Sequence, residues 1–166
     1  MEKTLSIYWF VIIGIVATAI IIMVAAFYGS NYDVRKYENR ALANHIADCI
    51  SKEGKLQDYV YQSGFKQEFS DNFLEICNLN FNVEDTYDEE QYYVDVDFYA
   101  VDDSSNSLFS VSKGNINFRA SCAIQEDESY KTLAQCGERR LYSTQGNEQF
   151  LIRIFTAIGK VSENVN

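Results

Sequence analysis

The residues able to do chemistry in this 166-residue chain are four cysteines, one histidine and a few short runs of acids. Cys49, Cys77, Cys122 and Cys136 contain no C-x-x-C pair, and His45 is the only histidine, so the ligand spacing of a zinc site is missing. Four cysteines allow three disulfide pairings. The sequential one, Cys49–Cys77 and Cys122–Cys136, closes the shortest loops and is the one expected; the alternative is four buried thiols in a reducing compartment. By chain entropy each such bond would contribute roughly 3–4 kcal/mol. Asp95 and Asp97, two apart, have the form of paired carboxylates, but on a strand they mark a face turned to water. The oxygens of Asp102, Ser104 and Asn106 follow the opening of a calcium loop, yet the glycine and bidentate glutamate that would complete it are absent, so a plain turn is expected. The acidic run Asp85–Glu90 is read the same way. His45 has no serine or cysteine partner in sequence, and no nucleophile elbow, phosphate loop or dinucleotide glycine pattern occurs. The expectation is a protein without catalytic residues, cofactor or metal.

What must position these residues begins with Ile7–Tyr28, an uninterrupted apolar stretch without a charge, an amide or a proline. As a helix it reaches roughly 33 Å, the thickness of a hydrocarbon core. Tyr8, Trp9 and Tyr28 stand at its ends, where amphipathic rings favour the headgroup region. The run is longer than the apolar core of a secretory signal and follows a single lysine, so it is read as retained rather than cleaved. Of 24 acids and 14 bases, only Glu2 and Lys3 fall in the first 29 residues; the whole net charge of −10 lies beyond. That balance excludes a phosphate-backbone binder, and no nucleic-acid partner is expected. Arg35, Lys36 and Arg40 after the span favour a cytoplasmic body by charge counting. The even cysteine count and the acidic surface favour the outside, where we place it.

Beyond Gly29-Ser30, the residues Val34, Tyr37, Leu42, Ile46 and Ile50 recur at helical spacing, with Ala41, Ala43 and Ala47 on the same side. Gly54 is expected to cap that helix in a left-handed conformation. Phe65, Phe69, Phe73 and Ile76 predict a short helix over Lys66–Ile76. From Leu79 the period becomes two, predicting strands at Leu79–Val83, Tyr92–Tyr99, Leu108–Val111, Ile116–Ile124, Arg139–Ser143 and Gln149–Val161, the last two joined by a hairpin at Gln145-Gly146-Asn147. The C-terminal VSENVN is expected to fray. Three segments follow: a hydrophobic helix over 1–30, an amphipathic helix over 31–54 and a head of α+β type over 55–166. Twelve tyrosines, among them Tyr59, Tyr61, Tyr87, Tyr92, Tyr93 and Tyr99, suit a sheet face that meets a neighbour.

This layout resembles type IV pilin-like proteins, archaeal ones included, with Thr4–Ile50 as the sequence-specific part. Tyr32–Leu56 is also similar to the segment after the anchor in small membrane proteins of archaea. The resemblance implies a helix that anchors the subunit in a membrane and then bundles with its copies as a filament core. It also implies an amphipathic continuation packed on an antiparallel sheet, with disulfides in the outer head. Where family members commonly carry a glutamate five residues into the mature chain, this sequence has Leu5. The residues expected at the helix–helix contact are Ile7, Trp9, Phe10, Ile13, Gly14, Ala17, Thr18, Ile21, Ala25 and Tyr28. The small ones among them permit close approach of helices. The implied function is a structural subunit of an extracellular pilus-like homopolymer, its head available for surface or cell contact. A single-pass anchored binding or accessory protein is the alternative.

Overall fold

A computed structural model describes residues 2–28, 34–81, 91–124 and 134–159, with side chains from residue 8 in the first segment. The expected cap at Asn31, the acidic runs 85–90 and 125–129, residues 82–83 and the C-terminal tail lie outside these residues; of the strand expected at Leu79–Val83, the described part, Leu79–Phe81, is not extended into any sheet. The chain divides into two compact units, the first ending at Asp33 and the second beginning at Val34. The first is one helix, α1 (Glu2–Tyr28).

The head begins with α2 (Arg35–Ile50). Its buried side is Ala43, Ile46, Ala47 and Ile50, together with Arg35 and Asn39, while Val34 and Tyr37 are exposed. The apolar stripe is therefore rotated from the expected one over its first two turns. Polar Asn39 is tolerated there because the sheet beneath uses its whole amide. Its Nδ2 donates to the carbonyls of Gln135 (2.8 Å) and Thr156 (3.0 Å), and its Oδ1 accepts from the Thr156 hydroxyl at 2.9 Å. Gly137 makes room for it; a Cβ there would lie 2.1 Å from Asn39 Oδ1. Asn39→Ala leaves the buried Thr156 hydroxyl without this acceptor, and Gly137→Ala drives the amide away. Each is expected to cost about 1–3 kcal/mol, read as a lowered urea midpoint with an unchanged slope.

After α2 the chain does not run on to a glycine cap. Ile50 ends the helix, and β1 (Ser51–Lys52) and β2 (Lys55–Leu56) form a hairpin in the register Ser51↔Leu56. Glu53 (φ 55°) and Gly54 (φ 77°) both take left-handed conformations, the signature of the primed turn that matches strand twist. Gly54 is thus left-handed as expected, but as a turn residue. The single helix expected over Lys66–Ile76 is two, α3 (Gln67–Asp71) and α4 (Phe73–Ile76), broken at Asn72 and burying Phe69 and Phe73.

Four long strands and one short helix complete the head: β3 (Tyr92–Ala100), β4 (Ser107–Gly114), α5 (Asn117–Ala123), then β5 (Gln135–Gln145) and β6 (Glu148–Ile158). The strand expected at Ile116–Ile124 is therefore α5, with Ile116 and Ile124 exposed at its ends. Its Phe-Arg-Ala-Ser-Cys-Ala interior has no β-branched residue to hold an extended chain, and the coil brings Arg119 and Cys122 onto the sheet. The sheet order is β1-β2-β5-β6-β3-β4. It is mixed rather than purely antiparallel, because β2 meets β5 in parallel at Lys55↔Thr144. The core lies between α2, α3, α4 and the inner sheet face, where Val94, Val96, Phe98, Ile152 and Ile154 are fully buried. Disulfides join Cys49 to Cys77 and Cys122 to Cys136, with Cα separations of 5.5 and 5.9 Å.

Candidate functional site

Two surfaces carry unusual chemistry, one on each unit. The first is α1 itself. Over Tyr8–Phe27, 20 residues with a mean hydropathy of 3.0, no residue is buried. Trp9, Phe10, Ile13 and Ile21 are each at least 60% exposed. Among the residues expected to assemble, Phe10, Gly14, Ala17, Thr18, Ile21 and Ala25 fall on one stripe at spacings of three and four, with Trp9 and Ile13 at its margin. Ile7 and Tyr28 lie within α1, but their side chains are outside the described residues. Gly14 leaves open space where a Cβ would stand. The Thr18 hydroxyl donates to the Gly14 carbonyl at 2.8 Å, so this mid-span hydroxyl is satisfied within the helix. By length and composition this helix can cross a membrane, as an anchor or as a signal sequence.

The second surface is the outer face of the sheet. The alternation of β3 was expected to leave Tyr93, Asp95, Asp97 and Tyr99 in water; instead all four are buried. Strands β4 and β6 flank β3, one on each side, and Arg119 of α5 and Arg153 of β6 supply the cover. Asp95 accepts from the Ser112 hydroxyl at 2.7 Å and pairs with Arg119 at 2.7 Å. Asp97 accepts from the Ser110 hydroxyl at 2.6 Å and pairs with Arg153 at 2.6 Å. Arg153 also stands over the Tyr99 ring, 5.4 Å from its centre. Burial pushes the Asp97 carboxyl up, but hydrogen bonds from Ser110 and Arg153, with the charge of Arg153, outweigh it and hold the group below the usual carboxylate range. The Asp95 charge keeps Arg119 more firmly protonated than usual. Each aspartate is thus held by an arginine and a serine hydroxyl. Above this row lies a hollow of about 220 Å³ lined by Asp95, Arg119, Cys122, Glu138, Arg153 and Phe155.

The sequence signal for this network was present but incomplete. Asp95 and Asp97 on β3 match Ser112 and Ser110 on β4 in register, and Asp97 also faces Arg153 on β6. Asp97→Asn keeps the shape and leaves Arg153 without its counter-charge, so we expect a loss of about 2–3 kcal/mol at neutral pH. Because the folded-state pKa is depressed, the contribution of Asp97 is fully present above its unfolded value near 4 and drains away as pH falls through the lower folded value. Acid unfolding curves of wild type and Asp97→Asn should therefore converge at the acid end.

The remaining candidates are local. The Asp103 carboxylate turns back onto Ser105, accepting from its amide at 3.0 Å and from its hydroxyl at 2.5 Å, which makes 102–106 a closed turn. His45 Nε2 lies 2.8 Å from the Cys77 carbonyl. No group of three metal-ligating side chains comes together among the described residues. Tyr92 donates to Glu38 and ties α2 to β3; burial first, then that bond, pushes its hydroxyl up to about 12. The chain matches no protein-family model, no curated protein and no solved structure.

Proposed function

We propose that this chain is a pilin-like structural subunit of an extracellular filament, held in a membrane by α1 before it assembles. The observation that supports the reading is the 20-residue span of α1, apolar on every side and uncovered along its whole length. Such a surface is stable only in lipid or against other dry surfaces, and a bundle of sister helices is the arrangement that one chain can supply for itself. The stripe of Gly14, Ala17, Thr18 and Ala25 lets those helices approach. Two disulfides in the head suit the oxidising exterior.

The test is direct imaging. A fraction sheared from the surface of producing cells, free of detergent, should contain filaments in negative stain with this polypeptide as their main component. Recovery of the protein solely as a detergent-soluble monomer would remove the filament and leave the single-pass anchored binding or accessory protein. In that case the exposed surface of the head, rather than α1, would be the working surface.

A further inference from the structure

The two margins of the head's sheet are unfinished, and they differ in a way that points to a partner. Among the described residues β4 has no strand on its outer side. On the opposite margin β5 meets β2 only at Thr144 among the described residues, so its outer edge from Gly137 to Ser143 also faces no strand among them. A free edge offers a row of backbone donors and acceptors to another chain. The eight residues of β4 and these seven of β5 are equal to within one residue, each about 25 Å long.

Charge separates the two margins. Beside the free edge of β5 runs a groove of about 400 Å³ between that strand and α2, lined by exposed Lys36, Arg40 and Arg139. The one carboxylate among its described lining residues, Glu138, is engaged by Arg140 at 2.6 Å. Beside β4 the exposed charges on α3 and on the turn before β4 are acids: Glu68, Asp71, Asp102 and Asp103. The side chain of Lys113 on β4 is turned to the Asp71 carbonyl at 3.3 Å, which places α3 against this strand. In a chain of net charge −10, a basic groove at one sheet margin and an acidic rim at the other form a complementary pair.

We infer that the heads of successive subunits join edge to edge, β4 of one copy entering the groove beside β5 of the next. The occupant is a second copy of this chain, and the contact is head to tail: different patches meet, so each addition leaves the same two margins open. Repetition of such a contact extends a fibre without closing it. The backbone ladder supplies cohesion, and the charged rims set its direction. This inference rests on the filament reading and specifies where the heads touch outside the α1 bundle.

The test uses full-length protein, polymerised from an equal mixture of 14N- and 15N-labelled chains and treated with a carbodiimide, which couples an amine to a touching carboxylate. Mixed-isotope peptides should join Lys36 to Glu68, Asp71 or Asp103. The variant Arg40→Glu/Arg139→Glu should lose at least tenfold of these cross-links, and adding Asp71→Lys/Asp103→Arg should restore polymer yield. A polymer that forms normally without such links, or whose yield ignores both charge reversals, overturns the edge contact while leaving the filament standing. A preparation with no polymer under any condition overturns both.

Discussion

Ala17→Arg abolishes assembly and leaves the head folded: this is the largest effect the account expects. Ala17 sits at the middle of the span and on the stripe with Gly14, Thr18 and Ile21. An arginine there costs about 2.5–3.5 kcal/mol for insertion into a bilayer. In a bundle every subunit would bury the same charge with no acid nearby, since the described side chains of α1 from Tyr8 to Phe27 include none. The population of inserted or bundled chains should therefore fall roughly a hundredfold, read as loss of the sedimenting fraction. The head should keep its urea midpoint, because it is a separate compact unit with its own core. Ala17→Leu separates the two demands. It keeps the helix lipophilic but fills the stripe, so membrane retention should persist while polymer yield falls.

The second large effect is removal of the Cys49–Cys77 bond. It closes a loop of 28 residues and fastens the last turn of α2 to the end of α4. Cys77 is buried at 3% exposure, the Tyr59 hydroxyl donates to the Cys49 carbonyl, and His45 lies on the carbonyl of Cys77. Replacing both cysteines by serine should lower stability by about 3–4 kcal/mol, a large share of the 5–15 kcal/mol typical of a domain. The shorter loop of Cys122–Cys136, 14 residues, should cost about 3 kcal/mol, and α5 would be the element released. Differential scanning calorimetry of the two double-serine variants measures the order, with the Cys49/Cys77 variant melting first.

Much of the head was legible from sequence because its signals are local. The helical spacing of Ala43, Ile46, Ala47 and Ile50 gives α2, the alternation of Val94, Val96 and Phe98 gives β3, and Gly146-Asn147 gives the β5–β6 turn. The errors share one cause, since they fall where a distant neighbour decides. Asn39 is buried because Gly137 and Thr156, about a hundred residues later, are shaped to receive its amide. Asp95 and Asp97 leave water because Arg119 and Arg153 come to meet them. Residues 116–124 alternate weakly enough for a strand, yet coil because a helix can present Arg119 to Asp95 and Cys122 to Cys136 together. Gly54 shows the limit of a single-residue signal: its positive φ serves a hairpin turn as well as a helix cap. The apolar helix needed no neighbour to be read, since uniform apolarity over Tyr8–Phe27 is its whole message.

The most direct measurement is sedimentation velocity of the intact polypeptide, from its first residue, before and after detergent is withdrawn. The account requires a detergent-bound monomer that passes into long, fast-sedimenting polymers as the micelles are removed. A single slow boundary of free monomer in plain buffer would contradict it, because α1 would then be stable with its entire surface in water.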